Sequence, residues 1–132
     1  MCPTVELSTP PGTMKPIGPY SHIAKVGTFI TIGGTAGVDP RTGELAGPDI
    51  ASQTRQIIDM FETMLATVGS DLDHIIHINI FLADISDFEA MNAAYAEKMS
   101  DHRPARTAIA VTGLPKPGAL LTTNLTAVVR GG

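Results

Sequence analysis

Apolar and polar positions along this chain change period several times between the N-terminus and the last strand. The opening residues carry Pro3, Pro10, Pro11, Gly12 and Pro16 among small polar side chains, which reads as an irregular arm. "PYSHIAKVGTFITIGG" then alternates and breaks at Gly27, predicting a hairpin of two short strands, about 20–26 and 28–33. "TAGVDPRTGEL" adds a third short strand or extended segment, with "DPRTGE" as its turn. From Asp49 the period lengthens. Ile57, Phe61, Met64, Leu65 and Val68 make the apolar stripe of a helix that Asp49 can cap and Gly69 can follow.

"HIIHINIFLAD" returns to a period of two. Ile76, Ile78, Ile80 and Leu82 are expected on the helix side, with His77, Asn79 and Phe81 on the other. "SDFE" places Ser86 and Glu89 at the spacing of a capping box, and Phe88, Met91, Tyr95 and Met99 give the second helix its buried stripe. "RTAIAVTG" and "LLTTNLTAVV" read as the last two strands, joined by "LPKPGA". The order βββ–α–β–α–ββ implies an α+β fold: a mixed β-sheet, partly parallel through a crossover, with two helices on one face. The opposite face is left open. In so small a chain, self-association is its expected cover, in a cyclic oligomer with the sheets turned inward.

Composition narrows the functional classes. A chain of 132 residues has room for a single domain spanning residues 1–132. Its net charge of −4 and lack of a basic block argue against a nucleic-acid partner. No apolar run approaches the length of a membrane span, so no membrane partner is expected. "MCPTVELSTPPG" resembles no secretion signal, and one cysteine, Cys2, fits a reducing cytoplasm as an incidental residue. The four histidines give no shared metal site: His74 and His77, read as strand residues three apart, point to opposite faces.

Arg106 is the residue that invites chemistry. Period-two counting puts Arg106, Ala108, Ala110 and Thr112 on one face and Thr107, Ile109 and Val111 on the other. If the Ile and Val side packs on the helices, Arg106 faces the open, intersubunit side. There its paired donors suit a small carboxylate, and the alanines leave it space. A structural ion pair with another subunit's acid accounts for the same pattern. In the last strand Thr122, Asn124 and Thr126 share a face; Asn124 could line the same cleft or be a satisfied polar residue of the sheet.

Together, "IGPYSHI", "FITIGGTAGVDPRTGEL", the long helix–strand–helix stretch and "RPARTAIAVTGLPKPG" resemble the Rid/YjgF family of reactive-intermediate deaminases over nearly the whole chain. The resemblance implies a chorismate-mutase-like (YjgF-like) protomer and a homotrimer with active sites between subunits. It implies hydrolysis, without a cofactor, of short-lived enamines and 2-imino acids such as 2-aminoacrylate to 2-keto acids and ammonia. Arg106 takes the place of the family arginine that clamps the substrate carboxylate. Tyr20 takes that of the pocket tyrosine, Gly34 that of a glycine whose backbone approaches the ligand, and Asn92 a structural role. Two positions depart from the pattern. The usual cysteine is Ala108, and the usual acidic residue of the last strand is Asn124, which can orient water but cannot take its proton. A non-catalytic protein that binds or senses a 2-keto acid is therefore the alternative, and a ribonuclease the weakest reading.

Overall fold

The structure, a computed structural model, describes residues 4–131. The reading of Cys2 lies outside them. Among the described residues, eight strands and two helices follow in the order β1 (Glu6–Ser8), β2 (Ile23–Val26), β3 (Phe29–Thr35), β4 (Val38–Asp39), β5 (Glu44–Leu45), α1 (Ile50–Thr67), β6 (Ile75–Leu82), α2 (Phe88–Met99), β7 (Ala105–Ala110) and β8 (Leu121–Val128).

 These ten elements, eight of them strands, are completed by two single 3-10 turns, Leu72–His74 and Ile85–Asp87. Six strands form the main sheet in the order β1-β2-β3-β8-β6-β7, and β4 with β5 makes a separate small hairpin.

The sheet is mixed as expected. Among the described residues only β6 and β7 pair in parallel, across the crossover through α2. Alternation on β8 buries Leu121, Thr123, Leu125 and Ala127 while Thr122, Asn124 and Thr126 stay half-exposed on the open face. One core joins Ile30, Ile32, Ile78 and Ile80 of the sheet to Phe61, Met64, Leu65 and Met91 of the helices. Asp49 caps α1 as read from sequence, its carboxylate accepting from the Ser52 N–H at 2.9 Å.

Several expectations need correction. Glu6–Ser8, read as part of an irregular arm, forms a short edge strand on β2. The strand expected at about 20–26 begins at Ile23, because residues 9–22 are tied down by side chains instead. His74 sits in a 3-10 turn rather than a strand, its Nδ1 donating to Asp71 at 2.6 Å. Ile76 is 45% exposed and Ile75 is buried in its place, because a bulge opposite Ala127 and Thr126 shifts the pairing there. No Ser86–Glu89 capping box forms: Asp84 accepts from the Ser86 N–H and so organises the turn ahead of α2.

The largest correction concerns β7. Its alternation is right but its sign is reversed. Parallel pairing sets Arg106 beside Ile78 and Ala108 beside Ile80, both on the helix side. Thr107 and Ile109 pair with Asn79 and Phe81, and Ile109 is 47% exposed. An edge strand that α2 overlies with aromatic rings can turn a cation inward, and small Ala108 packs against the core there. Arg106 therefore does not face the open side, and Ala108 does not line a vacancy beside it.

Candidate functional site

Glycine chemistry shapes the floor of the main cleft. Between Ile32 and Thr35 of β3, opposite Leu125 and Thr123 of β8, the register slips by one residue at Gly33 and Gly34. A bulge of this kind turns backbone groups outward. A side chain at Gly34 would begin 3.4 Å from the Thr122 hydroxyl, so the glycine keeps the backbone approachable there.

The arm before β2 builds one wall. The Tyr20 hydroxyl accepts from the Ile17 N–H at 3.2 Å, and the Tyr20 ring meets buried His22 edge-on at 6.0 Å. His22 in turn donates from Nε2 to the Met14 carbonyl, and Thr9 accepts from its backbone N–H. Tyr20 is 45% exposed and points its ring into the cleft.

The opposite wall is the connection between β7 and β8. Lys116, Pro117, Gly118 and Ala119 have the pattern of a type II turn, with Gly118 at φ +83° and the Ala119 N–H donating to the Lys116 carbonyl at 3.1 Å. Fully buried Gln53 of α1 pins that turn. Its amide donates to the carbonyls of Gly47 and Gly118 at 3.0 and 3.3 Å and accepts from the Leu120 N–H at 2.8 Å. The cleft, which opens to solvent, measures about 880 Å³.

Of the residues singled out from sequence, Tyr20 and Gly34 line this cleft together with Thr122. Asn124 lies two residues further along the same face of β8 and does not line it; its Oδ1 accepts from Asn79 Nδ2 at 2.9 Å. Arg106 is elsewhere. Its guanidinium carbon stands 4.9 Å from the centre of the Tyr95 ring and 5.8 Å from that of Phe88. Among the described residues it has no acidic partner. Burial pushes the Tyr95 hydroxyl above its ordinary pKa, against the opposing charge of Arg106 and Arg103. Asn92, read as structural, keeps its side-chain oxygen buried without a partner.

Sequence reasoning missed two cleft residues, Lys15 and Lys116. "LPKPG" held a signal for the second, since a proline–glycine turn fixes the lysine ahead of it.

Comparison with known proteins follows the same lines. Residues 11–129 match the family model described as Endoribonuclease L-PSP. The chain is 43% identical over 102 residues to the RutC family protein PH0854 of Pyrococcus horikoshii, covering 77% of this chain and 81% of that one. It is 34% identical over 116 residues to the 3-aminoacrylate deaminase RutC of Acinetobacter baylyi, covering 88% and 91%. To the human 2-iminobutanoate/2-iminopropanoate deaminase it is 35% identical over 100 residues, covering 76% and 73%. The crystal structure of the YjgF gene product from E. coli superposes with a TM-score of 0.88 at 30% identity, covering 95% of this chain and 99% of that one.

Proposed function

The chain belongs to the Rid/YjgF family, and from that premise we propose that it hydrolyses reactive 2-imino acids and their enamines to 2-keto acids and ammonia. The observation that carries this reading is Arg106: a guanidinium held over Tyr95 and Phe88 with no acid among the described residues to neutralise it. Such a cation suits the carboxylate of a small substrate.

Within one protomer Arg106 and the cleft stand apart, because β7 lies three strands from β3, or roughly 14 Å at ordinary strand spacing. We therefore place the reaction between subunits of a homotrimer, the cleft of one protomer receiving Arg106 of the next. The open sheet face, with Phe29 and Ile109 exposed, supplies apolar surface for that assembly.

In the reaction, water adds to the C=N carbon, its proton passes to nitrogen, and ammonia leaves as the carbonyl forms. Arg106 holds the carboxylate, while Tyr20 and the Gly34 backbone shape the surroundings. Among the described residues the cleft holds no carboxylate to take water's proton, and Asn124, two residues beyond Thr122 on the same face of β8, orients water only from outside its lining, giving a weaker catalyst than a carboxylate would.

That same asparagine favours the second reading, a binding protein for 2-keto acids. No Asp or Glu lines the cleft among the described residues, and one lone pair of Asn124 is occupied by Asn79. A single assay separates the two. A pyridoxal-phosphate dehydratase acting on serine supplies 2-aminoacrylate, and its decay is followed with and without this protein. Acceleration that disappears in Arg106→Ala supports the enzyme. Unchanged decay beside measurable 2-keto acid binding supports the binding protein.

A further inference from the structure

The cleft is cationic in a chain of net charge −4. Lys15 and Lys116 both line it, no acid does among the described residues, and neither lysine forms an ion pair there. Neither is on a loose segment. Lys116 opens the turn pinned by Gln53, and Lys15 lies between Met14, anchored to His22, and Ile17, anchored to Tyr20. The cleft's 880 Å³ is ample for more than a three-carbon acid, since pockets of about 300–1,000 Å³ take drug-sized ligands.

Charge counting sharpens the point. If Arg106 answers the carboxylate beside the imine, two further cations are left facing the ligand. Lys15 is exposed and Lys116 half-buried, so both charges stay hydrated in the open cleft, and a ligand that brings a second anion gains charge-assisted contacts that a monoanion cannot make. Resting on the proposed function, we infer that the substrate is a dianion: a 2-imino acid or enamine with a second carboxylate at its far end. Lys116 grips that second group from the turn, and Lys15 faces it from the arm.

The product of such a reaction is a dicarboxylic 2-keto acid, so binding can be tested without turnover. Calorimetry on the full chain compares 2-oxoglutarate with 2-oxobutanoate, in the wild type and in Lys116→Met, Lys15→Met and Arg106→Met. Circular dichroism checks that each variant is folded. The wild type is expected to prefer 2-oxoglutarate by about tenfold or more, as a charge-assisted contact allows. Lys116→Met should bring that ratio close to one, Lys15→Met should lower it, and Arg106→Met should weaken both ligands.

Equal wild-type affinities overturn the inference, as does a ratio unchanged in both lysine variants. Arg106-dependent decay of 2-aminoacrylate would leave the proposed function standing in either case. Binding of neither keto acid, with no acceleration of that decay, overturns both.

Discussion

The Arg106 guanidinium carbon sits 4.9 Å above the Tyr95 ring, which α2 buries at the edge of the sheet. This stacking aims the cation without neutralising it. Tyr95→Leu should raise KM for an imino acid about two- to thirtyfold, the range a cation–π contact covers, with a smaller change in kcat. Tyr95→Phe keeps the ring and removes a buried hydroxyl that has no partner, so KM and the melting temperature should hold or improve. Steady-state kinetics and thermal unfolding of the two variants check this.

A shared active site predicts complementation. Arg106→Met and Gly34→Val chains should each be inactive as pure oligomers, one lacking the clamp and the other blocked at the cleft floor. Refolded together in equal amounts, they should regain about a quarter of wild-type activity, since random assortment pairs an intact clamp with an intact floor that often. No recovery would place both residues in one protomer's site.

Gln53→Met should cost about 1–3 kcal/mol in urea unfolding, because three backbone groups lose their buried partner. KM should rise with it, since the turn bearing Lys116 loses its tether.

Gly37→Ala should destabilise by about 1–3 kcal/mol, because the new methyl would lie 2.6 Å from the Gln53 carbonyl oxygen and backbone cannot step aside. Chemical denaturation measures it, and Gly33→Ala, where nothing lies within 4 Å, is the control.

Acid should weaken the fold below about pH 4, where carboxylates normally take up protons. Asp71, bonded to His74 and near Arg130, has its pKa lowered, and so have Asp49 and Asp84, which accept from Ser52 and Ser86. A lowered native pKa means the unfolded chain protonates first. The stabilisation is complete above that range and is lost as pH falls through the native values. Melting temperatures from pH 6 to pH 2 should show this slope, flattened in Asp71→Asn.

Much of this architecture was legible in the sequence because period and burial agree. The α1 stripe, the Asp49 cap and the two faces of β8 follow from spacing alone. Where they failed, a neighbour had decided. The inward turn of Arg106 depends on the rings of Phe88 and Tyr95, which a rule sending β-branched side chains inward cannot see. Ile76 misled because a bulge resets the count, and bulges leave no mark on an Ile-Ile pair. Tyr20 and Gly34, singled out from motifs, both line the cleft, whereas Lys15 and Lys116 come to it only through the fold.

Gln53 holds Gly47 on one side of the cleft's far wall and Gly118 on the other, from a helix that is itself core. A wall clamped at two points does not swing like a lid. A guest of the proposed kind would then be sorted at that side of the doorway by size and charge, without this wall closing over it.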